Sequence, residues 1–232
     1  MSNDILALVF SYVYASSLLV VSEILMRKFG WKQFITRKLV HIGAGMWVWG
    51  ILYFFDTWYL GIIPFATFII LNFIIYKYEI LKGVDAEDSS PGTVYFAFSI
   101  TALFLLFWRT GVPSPNLFIA VAAVMAMTWG DALASLVGKT WGKRKYTFLK
   151  HTRTWEGSAA MFISAFIVIF LVLKFLPGSG LNPGVTSLST EQIFILTGAS
   201  AGVGTFAESI SPAGTDNLSV PFAVALILWL LT

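Results

Sequence analysis

The chain is predicted to be an all-α, polytopic membrane protein of about seven or eight transmembrane helices, with residues 1–232 forming one integral-membrane domain. Three observations predict this. Hydrophobic residues make up 57% of the chain and charged residues only 12%, which is too few to cover a water-soluble surface. The charges gather in short gaps between apolar runs. Most of those runs approach the roughly 20 residues that a helix needs to cross the hydrocarbon layer.

The candidate spans are 4–26, 39–55, 58–76, 93–108, 116–137, 157–176, 191–208 and 218–232. The first ends in Arg27-Lys28 and starts from MSND, without a basic n-region. It is therefore expected to stay in the protein and not to be cleaved as a signal. No Arg/Ser-rich transit peptide precedes it, which points to a prokaryotic membrane, plasma or thylakoid, or to a mature processed form. The second span is short and follows WKQFITRKLVH. Between it and the third, Tyr53, Trp58 and Tyr59 read as aromatic belt residues. The fourth is short and opens after the turn-forming Ser89-Ser90-Pro91-Gly92, beside Glu87-Asp88. The fifth, LFIAVAAVMAMTWGDALASLV, carries Asp131 in otherwise membrane-grade sequence. A basic loop, GKTWGKRKYTFLKHTRTWE, leads to the sixth, and AESISPAGTDN joins the seventh to the last.

Eight spans with the N-terminus outside put Arg27, Lys28, Lys32, Arg37, Lys38, Lys77, Lys82, Lys139, Lys143, Arg144, Lys145, Lys150 and Arg153 in cytoplasmic gaps. Only Arg109 and Lys174 of the 15 basic residues fall outside. That asymmetry follows the positive-inside pattern and supports both the count and the orientation. With no cysteine, disulfides and thiolate metal sites are excluded, and two histidines, His41 and His151, do not make a His-rich centre. No nucleic-acid partner is indicated. No internal repeat is visible, so the repeat signature of many transporters is missing.

Asp131 lies about 9 Å from the end of its span at helical rise. A carboxylate at that depth is expensive in lipid and is a functional candidate by default. Ser135, four residues on, shares its face, and the small Gly130 and Ala134 permit close helix packing. Lys139, Lys143, Arg144, Lys145, Lys150 and Arg153 can neutralise phosphates, although a charge run alone favours the plainer role of holding the loop inside and contacting anionic headgroups. Thr154 or Ser158 can cap the next helix, whose N-terminus attracts anions, and Glu156 is either part of that site or an ordinary first-turn carboxylate. Gly138-Lys139-Thr140 is not a P-loop, because Leu133 stands where the earlier glycine belongs. Glu208, Asp216 and Asn217 flank a Gly/Pro turn and offer hard oxygen ligands for Mg²⁺; a plain polar hairpin with Asp216 as a cap explains them equally well. Asn217-Leu218-Ser219 matches a glycosylation sequon on the wrong side. Arg37, Lys38 and His41 share one helical face as accessory candidates.

Taken together, RKLVH at 37–41, GTVYF at 92–96, GDALASLVGKTWGKRKY at 130–146, KHTRTWEGSAAMF at 150–162 and AESISPAGTDNLSVP at 207–221 resemble the polyprenol kinase family of phytol, farnesol and dolichol kinases, and phytol kinase most. The resemblance implies transfer of the terminal phosphate of CTP or UTP to the hydroxyl of an isoprenoid alcohol in the bilayer. Under it, Asp131 is the first choice for the base and Asp216 the second. Mg²⁺ would be held by Asp131, Glu208 and Asp216, and the phosphates by Lys139, Lys143, Arg144, Lys145, Lys150 and Arg153, with Glu156 and Ser158 nearby. Two other readings stand beside it: a cytidylyltransferase forming a CDP-lipid and releasing pyrophosphate, and a carrier using Asp131 without consuming nucleotide.

Overall fold

The structure, a computed structural model, describes residues 2–78, 91–110, 114–148, 151–212 and 214–232. Lys150 and the Glu87-Asp88 pair lie outside the described residues. The elements in order are α1 (Ser2–Phe29), α2 (Gln33–Phe54), α3 (Trp58–Tyr78), α4 (Gly92–Phe107), α5 (Leu117–Met125), a π-helical segment (Ala126–Asp131), α6 (Ala132–Trp141), β1 (Lys145–Phe148), β2 (His151–Thr154), α7 (Trp155–Phe175), α8 (Thr190–Ile210) and α9 (Asp216–Leu231). Since α5, the π segment and α6 run on as one rod, each expected span has its helix. Among the described residues, 5 helices are long and apolar enough to cross a membrane, and α4 and α9 are shorter apolar helices. The molecule is an all-α polytopic membrane protein.

The rod from α5 to α6 is the axis of the bundle. Every residue of α5 is buried, and its run of Ala and Val lets α4, α7 and α9 approach closely. The outer helix α1 is the opposite case, with Ile5, Leu6, Val9, Val13 and Val20 exposed toward what would be lipid. Two glycines mark the tightest approaches to the π segment. A Cβ at Gly45 of α2 would collide with Thr128 Oγ1, and one at Gly130 with Met161 Sδ of α7. A π turn inserts one residue into the helical period, and such bulges gather at functional sites. Here it re-aims the side chains around Asp131.

Two expectations need correction. First, α2 starts at Gln33, six residues ahead of the expected span, so Arg37 and Lys38, assigned to the gap before it, lie on the same helix as His41 and share its face as expected. Hydropathy cannot see a polar helical turn that continues an apolar one. Second, the basic loop is mostly ordered. α6 runs on through Trp141, and β1 and β2 then pair antiparallel, with Tyr146 opposite Arg153 and Thr147 opposite Thr152. Alternating Thr, Tyr and Phe suit a two-stranded ribbon. Thr154 Oγ1 accepts from Gly157 N–H at 3.1 Å and caps α7, as one of the two sequence options had it.

Candidate functional site

Residues of α2 and α4 meet the π segment at Asp131. α2 delivers Lys38, whose Nζ donates to Asp131 Oδ2 at 2.6 Å across 93 residues of sequence. One turn on, His41 Nε2 lies 3.5 Å from the same oxygen and 3.4 Å from Met127 O. Its ring packs on Phe96 of α4 at 4.5 Å. The Asp131 side chain is only 6% exposed, and among the described residues its hydrogen-bond donor is a lysine.

The second half of the site is built around Arg153 of β2. Its Nε lies 3.2 Å from Glu208 Oε1 at the end of α8, and its Nη2 lies 3.2 Å from Asp216 Oδ2 at the start of α9. Nη2 also donates to Ser211 O at 3.3 Å. Gly214 makes this possible: at φ 82° it lets the chain turn back so that Asp216 faces Arg153. Burial alone would lower the Arg153 pKa, but the carboxylates of Glu208, Asp216 and Asp131 more than offset it and hold the guanidinium above its usual value. Asp216 Oδ1 accepts from Asn217 N–H at 3.0 Å, and Asn217 O accepts from Ser99 Oγ at 2.7 Å.

The three carboxylates are thus held by two different cations, Lys38 and Arg153. Among the described residues, no group of three or more His, Asp or Glu is placed to hold a metal ion unaided. Glu208 Oε2 and Asn217 Oδ1 are nevertheless buried without a hydrogen-bond partner. Buried polar atoms are rarely left unpaired. These hard oxygens suit a cation that completes its shell with substrate phosphates, as Mg²⁺ does with one or two carboxylates.

The remaining sequence candidates separate clearly. Arg37, Ser135 and Lys139 line the same cavity as Asp131, with Lys139 Nζ 5.3 Å from the centre of the Phe34 ring. Lys143, Arg144 and Lys145 lie exposed at the hairpin. The Glu156 carboxylate accepts from Arg144 N–H at 3.2 Å, and Ser158 Oγ bonds Tyr146 OH at 2.6 Å, so both fasten the hairpin to α7. The tight grip of Arg153 on two acids was not legible. Both acids, Glu208 and Asp216, lie far along the chain, Asp216 63 residues away, and nothing in a basic run tells a phosphate ligand from a carboxylate one.

That cavity measures about 550 Å³ and runs between α1, α2, α3 and α4. Lys38, His41, Asp131, Asp216 and Asn217 form one end, and Leu18, Phe65, Phe68 and Leu71 line its apolar length. It is the size of a small-molecule site, apolar with a few convergent polar groups. Nothing in the run of apolar residues shows which ones face a cavity and which face lipid.

Fold and site define a polytopic membrane protein with a buried acid–base cluster at the end of an apolar groove. No protein-family model matches the chain. It is 30% identical to phytol kinase of Synechocystis sp., over 93% of this chain and 87% of that protein. It is 28% identical to a probable chloroplastic phytol kinase of Triticum aestivum, over 86% of this chain and 68% of that one. To chloroplastic phytol kinase 1 of Arabidopsis thaliana it is 25% identical, over 86% and 67%. The chain belongs to the phytol/polyprenol kinase family, phosphotransferases with an alcohol acceptor. That places it with kinases and not with the cytidylyltransferases or carriers considered above.

Proposed function

We propose that the protein transfers the terminal phosphate of CTP or UTP to the hydroxyl of a membrane isoprenoid alcohol such as phytol. The observation that carries this is the cavity: a single space joins an apolar groove to Asp131, Lys38 and Asp216. An isoprenoid tail matches the groove in chemistry, and its hydroxyl is then brought to the carboxylate. The choice of CTP or UTP rests on the family resemblance of the motifs.

In this reading Asp131 accepts the hydroxyl proton as the alcohol oxygen bonds the γ-phosphorus. The bond to the bridging oxygen breaks and the nucleoside diphosphate leaves. Lys38 turns from Asp131 toward the incoming phosphate, joined by Arg37 and Lys139 from the cavity wall. Arg153 keeps Glu208 and Asp216 in place. Lys143, Arg144 and Lys145 draw the nucleotide to the hairpin. When bound, Mg²⁺ neutralises phosphate charge, and Glu208 and Asp216, with Asn217, are the residues that would hold it. Catalysis of this kind is mostly positioning and charge stabilisation. In this reading the basic end of the bundle faces the cytoplasm, the side that the positive-inside pattern favours.

Purified protein in detergent with Mg²⁺, phytol and γ-labelled CTP tests this. Label should enter the lipid. No label from CTP or UTP in any isoprenoid alcohol, with pyrophosphate released from CTP when phosphatidate is supplied instead, would overturn it.

A further inference from the structure

The apolar groove ends at a barrier built by three helices. α1 lines it from Ser11 to Met26, α2 from Phe34 to Trp47 and α3 from Pro64 to Ile75, so all three stop at one level. At that level Trp47 Nε1–H donates to Ser11 Oγ at 3.0 Å, and Ser11 in turn donates to Ala7 O at 2.8 Å. Tyr14 stacks on the indole with ring centres 4.5 Å apart, and its hydroxyl donates to Gly43 O at 2.9 Å. Gly50 leaves room for the indole, since a Cβ there would meet it at 2.8 Å. The ring is therefore held between α2 and α1, where it lines the groove, by one directional bond and by stacking on Tyr14 and, at 6.0 Å, on Phe54. Behind it, Ala7, Ile51 and Phe55 are packed at 2%, 0% and 4% exposure. Lys38, at the polar end, is nine residues from Trp47 along α2, or about 14 Å at helical rise.

We propose that Trp47 is the chain-length stop of the acceptor groove. An isoprenoid tail whose hydroxyl sits at Asp131 fills the cavity, folding where its extended length exceeds the span to Trp47, until it meets the indole, and any further isoprene unit finds no space. This rests on the cavity being the acceptor site. Trp47 acts on specificity, with no part in the chemistry. Ala44 lines the same wall one turn nearer Asp131, so the stop can be moved in either direction.

The experiment measures kcat/KM at saturating donor for isoprenoid alcohols lengthened one isoprene unit at a time. The enzymes are wild type, Trp47→Ala, Trp47→Phe and Ala44→Leu. Wild type should show a cut-off length. Trp47→Ala should raise the ratio of the first rejected alcohol to the last accepted one by about tenfold or more, the discrimination an apolar pocket gives per small change in fit. Trp47→Phe should shift it less, and Ala44→Leu should move the cut-off to a shorter chain. A wild type without a cut-off, or an active Trp47→Ala with an unmoved profile, overturns the proposal. If Trp47→Ala does not fold, Ala44→Leu decides: no shortening overturns it. A wild type that phosphorylates no isoprenoid alcohol of any length overturns the acceptor reading itself, and with it the stop.

Discussion

Two ends of the bundle each bury a carboxylate, and only one of them looks like a site. Asp4, at the start of α1, is 0% exposed. It accepts from Asp56 N–H at 2.8 Å, Thr57 N–H at 3.3 Å and Thr57 Oγ1 at 2.6 Å, which ties α1 to the turn between α2 and α3. All its donors are local to one turn, and it does not line the cavity. Asp131, 4% exposed, takes its strong hydrogen bond from a lysine of another helix and faces a groove. Burial of a carboxylate therefore does not mark function. What marks it is a partner that can be exchanged and a space from which a ligand can reach the group. Asp4 serves the groove only indirectly, by pinning the helix that forms its wall.

The comparison can be broken most severely at Asp131. Asp131→Asn keeps the shape and removes the base; phosphoryl transfer should fall by about 10²–10⁴-fold, the usual worth of a general base. Label transfer into lipid reads this directly, and full turnover would hand the role to Asp216. Next in size is Arg153→Met, which leaves Glu208 and Asp216 facing each other without their shared cation. Removing one partner of a buried ion pair costs about 3–5 kcal/mol, so thermal unfolding in detergent should drop sharply. An unchanged midpoint would show that Arg153 is dispensable to the fold. Lys38→Met should act in the same sense. Combining it with Asp131→Asn should recover much of the lost stability and none of the activity, which a double-mutant cycle measures. The smallest effect sharpens the contrast. Asp4→Asn weakens a charge-assisted set and should lower stability by about 1–3 kcal/mol while leaving the nucleotide KM as it was. A change in nucleotide KM would show that the two ends are coupled. Glu156→Gln, at the exposed hairpin, should change little in either assay.

The fold was legible to the extent that hydropathy is local. Every expected span became a helix, with ends mostly within a few residues, because a backbone in lipid must satisfy its own hydrogen bonds. The early start of α2 was missed because the Gln33–Lys38 turn is polar and helical at once. The β-hairpin was missed because a basic run hides a weak strand alternation. The site was half legible. Asp131 stood out as a charge where none is cheap, whereas Asp4 drew no notice at a chain start, where charge is ordinary. Glu156 and Ser158 stood beside the basic loop and proved to brace it.

By itself the sequence determined how many times the chain runs through the bundle, which gaps carry the charge, and that Asp131 is out of place in lipid. Each of these depends on a residue and its near neighbours along one rod. Only the tertiary structure decided that Lys38 holds Asp131, that Arg153 binds Glu208 and Asp216, and that Trp47 lines the same groove as Asp131. Those depend on which faces of separate helices meet, and close packing of small residues around α5 sets that. Apolar side chains bound for lipid and those bound for a groove are chemically alike, so no pattern along the chain separates them.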